Sequence, residues 1–201
     1  MSLAAPFTNA SGYKVDRAKS YLLAVTGTSG LFSFAGHRHA VLTKDLSSQI
    51  SFDPAAFTQS SVTISIPVSS LVIDSAEARR LAGLGEGPSA DDVRTIQHRM
   101  LGPEVLDAGK FPMIQFTAAS VQKTGNSELR LTGQFRMHGQ TRQIEVPVRY
   151  AESGNGSFEF SGQFTIKQTD YGMQPETAGL GTVHVKDEVQ IRFRISMVPD
   201  A

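Results

Sequence analysis

The chain has 201 residues, its 19 lysines and arginines are balanced by 19 aspartates and glutamates, and it contains no cysteine. This length suits one all-β domain with a single core. The absence of cysteine excludes disulfide bonds, thiolate metal sites and cysteine nucleophiles, and balanced charge without a lysine or arginine run argues against binding to nucleic acid.

The first residues, MSLAAPFTNASG, lack the basic segment and the long apolar segment of a secretory leader. No later apolar run is long enough to span a bilayer. We therefore expect a periplasmic or secreted protein if a leader has been removed, and a cytoplasmic protein otherwise. We assign residues 1–19 to an N-terminal tail and residues 20–197 to one barrel domain.

Alternation of apolar and polar residues is the main structural signal, and it is clear in SVTISIPVSSL at 61–71. A period of two predicts a strand with one apolar and one wet face, while Pro67 indicates an edge or a break in pairing. Later runs place the following apolar residues on one face: Ile114, Phe116, Leu129, Leu131, Phe135, Met137, Ile144, Val146, Val148, Tyr150, Phe158, Phe160, Phe164, Ile166, Val189, Ile191, Phe193 and Ile195.

Turn sequences separate these later runs, at 123–128, 138–142 and 152–157. They indicate antiparallel hairpins in series. Earlier candidate strands lie near 21–26, 31–35 and 46–52. The total reaches about eight strands, a number at which an antiparallel barrel can close around one small ligand.

The alternation stops between residues 74 and 110, which predicts a short helical excursion between two strands. Ser89 suits the N-cap of a helix and Gly102 suits its end. Met100 lies on the apolar stripe of this helix. We expect residues 74–110 to form a helical cap over an open end of the barrel.

Motifs for catalysis are missing from the sequence. It has no G-x-S-x-G elbow, and no general base is placed by a motif beside a nucleophile. The glycine-rich segment at 83–87 lacks the lysine and hydroxyl residue of a phosphate-binding loop. We therefore predict that the protein is not an enzyme and carries no cofactor.

The segment GHRHAV at 36–41 holds two of the five histidines. On a strand, His37 and His39 would face the same side, and three hypotheses stay open. The pair could bind a metal, although no other histidine or carboxylate lies at a recognisable ligand spacing. It could anchor the polar head of a mostly apolar ligand by hydrogen bonding. It could also face solvent or satisfy buried carbonyl groups.

Several motifs occur together in VLDAGKFPMIQFTAASV, LRLTGQFRMHGQTRQIEVPV and GQFTIKQTDYG. They comprise Leu106-Asp107, the strand Phe111–Phe116, Met137-His138-Gly139 with Thr141, and Asp170-Tyr171-Gly172, accompanied by SFDP at 51–54 and PVSSL at 67–71. Over about residues 20–196 the chain resembles the YceI-like proteins, also called polyisoprenoid-binding proteins.

This resemblance implies an extended, lipocalin-like antiparallel barrel that holds a long isoprenoid or amphiphilic lipid, often in the bacterial periplasm. It does not imply catalysis. The Gly-His-x-His sequence at 36–39 departs from the commonest family pattern and indicates a divergent branch.

We predict that the protein binds, transports or stores a long apolar molecule, such as a polyprenyl chain or an isoprenoid quinone, inside the barrel. His37 and His39 are the predicted head-group anchors, and Asp170 and Tyr171 are predicted rim contacts. The full set of predicted lipid-binding residues is Phe32, Phe34, His37, His39, Val68, Leu71, Leu81, Met100, Phe116, Phe135, Phe164, Asp170 and Tyr171. The alternative hypothesis is a histidine-dependent metal or redox-associated module built on His37 and His39. Transient membrane contact and a homodimer stay open as further associations.

Overall fold

The computed structural model describes residues 12–29, 38–175, 177–178 and 183–200. Within these residues the chain forms twelve strands and two α-helices. The strands are β1 Tyr13–Val15, β2 Tyr21–Ser29, β3 Ala40–Thr43, β4 Ser47–Ser51, β5 Ser61–Pro67, β6 Val72–Ile73, β7 Met113–Gly125, β8 Glu128–Met137, β9 Gln140–Glu152, β10 Phe158–Lys167, β11 Thr177–Ala178 and β12 Val183–Pro199. The helices are α1 Ala76–Ala82 and α2 Ala90–Leu101.

All the strands belong to one antiparallel sheet in the order β4-β5-β7-β8-β9-β10-β12-β2-β3-β6, and β1 and β11 pair with β12 outside this path. The sheet curls into a half-barrel whose ladder ends are β4 and β6. Consecutive long strands from β7 to β10 are hairpin neighbours, as the turn sequences predict. The predicted fold class, an antiparallel lipocalin-like barrel with a helical excursion, is confirmed.

The N-terminal part of the fold differs from the sequence-based assignment. Residues 13–15, which we assigned to the tail, form β1 and pair with residues 197–199 of β12. A strand of three residues is too short to show a period of two, so the pattern could not reveal it. The predicted strand at 31–35 lies outside the described residues.

The inner face of the sheet carries the main hydrophobic core, which includes the residues that alternation placed on the apolar side of the later strands. A second, smaller core lies between α1 and the opposite face of the sheet. There Ala78 and Ala82 of α1 pack with Leu23, Val25 and Leu42. The sheet therefore buries apolar side chains on both faces near β2 and β3.

The helix α2 begins and ends as the sequence predicts. The Ser89 hydroxyl accepts a hydrogen bond from the Asp92 N–H at 3.2 Å, and the helix ends at Gly102. The side chain of Gln97 joins this helix to the edge strand β6, because its amide accepts from Ile73 N and donates to Leu71 O, both at 2.8 Å. One side chain thus satisfies backbone groups that an edge strand would otherwise leave unpaired.

Neither described helix has the length and hydropathy needed to cross a membrane.

Candidate ligand cavity

A cavity lies inside the curled sheet, and the inward-facing side chains of its strands form the wall. Its volume is about 130 Å³ for the centres of water-sized molecules, roughly ten times the 10–15 Å³ that one water requires on the same measure. All the empty space between the walls, including the part that opens to solvent, is about 990 Å³. The side chains of the half-barrel therefore leave room for a ligand.

The cavity wall is almost entirely apolar. Of its 22 described residues, Ser60 alone has a polar side chain. The apolar ones are Leu22, Leu46, Ile50, Phe52, Phe57, Val62, Ile64, Ile66, Ile114, Phe116, Val121, Leu129, Leu131, Phe135, Val146, Val148, Phe160, Phe164, Phe193, Ile195 and Met197. A wall of this kind offers dispersion contacts and removal of hydrocarbon from water as its means of binding.

Aromatic rings are concentrated around Phe52, in the segment between β4 and β5. Its ring centroid lies 5.3 Å from those of Tyr13, Phe57 and Phe160 and 4.9 Å from that of Phe158. These separations are typical of favourable edge-to-face and tilted ring pairs. Three of these rings, Phe52, Phe57 and Phe160, also line the cavity, so this part of the wall is aromatic.

Two glycines on the inner face bring phenylalanine rings close to the sheet. A Cβ on Gly133 would lie 2.3 Å from Thr117 O and 2.9 Å from the Phe116 ring. A Cβ on Gly162 would lie 2.2 Å from Pro147 O and 2.8 Å from the Phe193 ring. Only glycine permits these close approaches.

Among the predicted wall residues, Phe116, Phe135 and Phe164 line the cavity. Their strand parity is the feature that identified them. Phe32, Phe34 and His37 lie outside the described residues.

His39 does not line the cavity, contrary to its predicted position. Its Nδ1 donates to Asp74 Oδ2 at 2.6 Å, and the other carboxylate oxygen accepts from the Ala40 N–H at 3.0 Å and from Arg79 at 2.8 Å. The same guanidinium donates to the carbonyl oxygens of Arg38, Gly85 and Glu86. His39 therefore belongs to a polar cluster that joins the start of β3 to α1.

The carboxylate of Asp74 is the centre of this cluster and is fully shielded from solvent. Burial alone would raise the pKa of Asp74, but the hydrogen bonds from His39, Ala40 and Arg79 together hold that pKa below its ordinary value. The residue also has a positive φ of 50°, a conformation that aspartate tolerates better than most residues. The ionised carboxylate thus fixes the backbone at the end of β6.

Four other predicted contact residues pack elsewhere. Val68 and Leu71 are buried in the main core behind the cavity wall, and Met100 packs against that core from α2. Leu81 packs with the second core on the opposite face of the sheet. An apolar stripe shows that a helix packs against something, but it does not identify the face of the sheet that it meets.

Asp170 and Tyr171 do not form a rim of the cavity. Tyr171 is 2% exposed, and its ring meets that of Phe135 edge-on at 5.6 Å. Burial, and to a lesser degree the charge of Asp170, raises the pKa of the Tyr171 phenol. His138 Nδ1 donates to Tyr171 O at 2.9 Å, while Asp170 is exposed. Tyr171 therefore supports a cavity residue from behind.

Part of the cavity wall carries no strand pattern in the sequence and was not predicted. Phe57 lies in a 3₁₀ turn and Phe52 in a connecting segment, where no strand period marks an inward side. Ser60 directly follows that turn. Serine is common in turns and loops, so its residue type does not mark it as part of a cavity wall. The described residues contain no group of three histidine, aspartate or glutamate side chains arranged to hold a metal ion.

Two relatives of known sequence are similar to most of this chain. A UPF0312 protein of Vibrio campbellii is 26% identical over 178 residues, which are 85% of this chain and 82% of the relative. A UPF0312 protein of Shewanella sp. (strain ANA-3) is 25% identical over 180 residues, 86% of this chain and 83% of the relative.

Two solved structures are similar over most of their length. The crystal structure of Burkholderia cenocepacia BcnA has a TM-score of 0.67 and 26% identity, and the match covers 91% of this chain and 99% of BcnA. A polyisoprenoid binding domain from Saccharophagus degradans, implicated in plant cell wall breakdown, has a TM-score of 0.61 and 15% identity, with 94% of this chain and 99% of that domain covered. At 15% identity the second likeness shows a shared fold.

The family model of the YceI-like domain matches residues 13–197. This range includes every described residue of the cavity wall. The resemblance inferred from the sequence motifs is confirmed, and the chain belongs to the YceI-like domain family.

Proposed function

We propose that this protein binds a long apolar molecule of the isoprenoid type, non-covalently and without catalysis, in the cavity of the half-barrel. The single observation that carries this proposal is the cavity wall, in which all but one of the 22 described residues have apolar side chains. Burial supplies the affinity, because each methylene removed from water contributes about 0.8 kcal/mol.

The composition of the wall also defines what the cavity should reject. No lysine, arginine, histidine, aspartate or glutamate is among its described residues. An ionised group placed there would lose hydration without gaining a partner of opposite charge. A charged head group should therefore remain outside while the tail enters.

Two comparisons support an isoprenoid tail as the ligand class. The chain belongs to the YceI-like domain family, and the Saccharophagus degradans domain with the same fold is described as polyisoprenoid-binding. A polyprenyl alcohol or an isoprenoid quinone fits this class. We further propose that the protein carries or stores such a lipid in an aqueous compartment, such as the periplasm, and contacts a membrane when it loads or releases the lipid.

A displacement titration tests the binding proposal. Delipidated protein is saturated with a neutral dye that fluoresces in apolar surroundings, and the dye is displaced with geranylgeraniol, a twenty-carbon isoprenoid alcohol. We expect saturable displacement at one equivalent, and no displacement by a short, charged analogue such as isopentenyl diphosphate. Failure of both the dye and the alcohol to bind would contradict the proposal.

A further inference from the structure

The Ser60 hydroxyl is the unusual atom of the cavity wall. Its Oγ is buried and has no hydrogen-bond partner among the described residues, and it is the one side-chain atom of those residues in that condition. Buried polar groups are nearly always paired, and an unpaired one usually marks a missing partner. Ser60 also lines the cavity, so rotation of its hydroxyl toward the cavity would let a bound molecule supply that partner.

The surroundings of Ser60 restrict the choice of partner. Ser60 follows the turn that carries Phe57, and its backbone N–H donates to Phe57 O at 3.0 Å. Its neighbours along the wall are apolar, and none of the described wall residues is charged. A phosphate or carboxylate at this position would find one hydroxyl and no cation, which does not offset its loss of hydration.

A neutral oxygen matches the site. A serine hydroxyl both donates and accepts, and it rotates among staggered positions about the Cα–Cβ bond. It can therefore turn toward the cavity and pair with an alcohol, a carbonyl or an ether oxygen. The aromatic rings of Phe52 and Phe57 would cover the remaining apolar surface of the same end of the ligand.

We propose that Ser60 is a specificity-determining residue that hydrogen-bonds one neutral oxygen of the apolar ligand inside the cavity. This inference rests on the proposed function, because it assumes that the cavity holds a ligand. It adds that the buried part of the ligand carries an oxygen atom and no charge. A plain hydrocarbon lacks the oxygen, and a phosphorylated lipid end carries a charge.

The test compares ligands with one carbon skeleton: phytane, its alcohol phytanol, and phytanyl phosphate. Dissociation constants are measured by dye displacement on the delipidated full chain for wild type, Ser60→Ala and the neighbouring Ser61→Ala, which changes an exposed hydroxyl. We expect wild type to bind phytanol about 3- to 10-fold more tightly than phytane, as for one neutral hydrogen bond. The preference should vanish in Ser60→Ala and persist in Ser61→Ala, and phytanyl phosphate should gain nothing from Ser60.

Stability provides the second readout. Ser60→Ala removes an unpaired buried hydroxyl, so the midpoint of thermal unfolding without ligand should be no lower than that of wild type. If Ser60→Ala does not fold, Ser60→Cys replaces it as the test variant. Its thiol sulfur takes the place of the hydroxyl oxygen but is only a weak hydrogen-bond donor, so the preference for phytanol should also be lost.

The outcomes separate the two proposals. Equal binding of phytane and phytanol by wild type would overturn the role of Ser60 and leave the cavity as a binding site. A phytanol preference that survives in Ser60→Ala would overturn it as well. No binding of either molecule would instead contradict the proposed function itself.

Discussion

The ring of Phe193 lies directly over Gly162 on the neighbouring strand. A Cβ on Gly162 would come within 2.8 Å of that ring and within 2.2 Å of Pro147 O. The backbone contact cannot be relieved by rotating a side chain, so β9, β10 and β12 would have to separate locally.

We therefore predict that Gly162→Ala lowers the free energy of unfolding by about 1–3 kcal/mol, the usual cost of overpacking. It should also weaken ligand binding, because Phe193 lines the cavity. Urea denaturation measures the first effect. Gly154→Ala is the matched control, since a Cβ there meets nothing within 4 Å, and it should change stability by less than about 0.5 kcal/mol. Equal stability of the two variants would refute the close packing at Gly162.

A second prediction tests whether the cavity inside the half-barrel is open space. Val148 lines the cavity and Val68 does not, although both are buried. Val148→Phe should place its added ring in empty space, so it should reduce the binding of geranylgeraniol by roughly tenfold or more, while changing the free energy of unfolding by less than about 1 kcal/mol. Val68→Phe should cost about 1–3 kcal/mol of stability because its surroundings are already filled. If Val148→Phe proves the more destabilising variant, the cavity is not an open space.

A third prediction concerns the contact between α2 and β6. Gln97→Ala removes the hydrogen-bond partners of Ile73 N and Leu71 O. Each hydrogen bond contributes about 0.5–1.5 kcal/mol, so the free energy of unfolding should fall by about 1–3 kcal/mol. Gln97→Glu keeps the acceptor for Ile73 N but sets a carboxylate oxygen against Leu71 O, so it should also be less stable than wild type while protecting the Ile73 amide better than Gln97→Ala. Hydrogen exchange should show faster exchange at the Ile73 amide in Gln97→Ala. Unchanged exchange there would contradict the role of Gln97.

A fourth prediction follows from the lowered pKa of Asp74. A carboxyl whose pKa is lower in the folded state stabilises the fold fully above its unfolded pKa of about 3.9, and this contribution is lost as pH falls through the folded value. Asp74→Asn should therefore be less stable than wild type at pH 7, by about 1–3 kcal/mol. The difference should shrink as pH falls below about 4 in urea titrations. A difference independent of pH between 7 and 3 would contradict the ionised state of Asp74.

The alternation of apolar and polar residues predicted most of the cavity wall, because alternation depends only on the local geometry of a strand. Phe135 and Phe164 lie on strands long enough for alternation to mark an inner face. Phe52 and Phe57 lie between strands, and their inward direction depends on how the connecting segment packs against β1 and β9. Nothing local in the sequence encodes that contact.

The position of His39 was unpredictable for a related reason. Its partner Asp74 lies 35 residues away in the sequence, and the two meet because β3 pairs with β6. The sequence showed that His39 needs a partner or solvent, but it did not show that a buried carboxylate would be that partner.

Occupation of the cavity by an apolar chain is tested most directly by mass spectrometry of the molecules released on denaturing the purified protein. We predict close to one equivalent of a long, uncharged isoprenoid-type molecule per chain, and its loss from Val148→Phe. Recovery of no such molecule, together with failure of the delipidated protein to take up polyprenyl alcohols, would contradict the account.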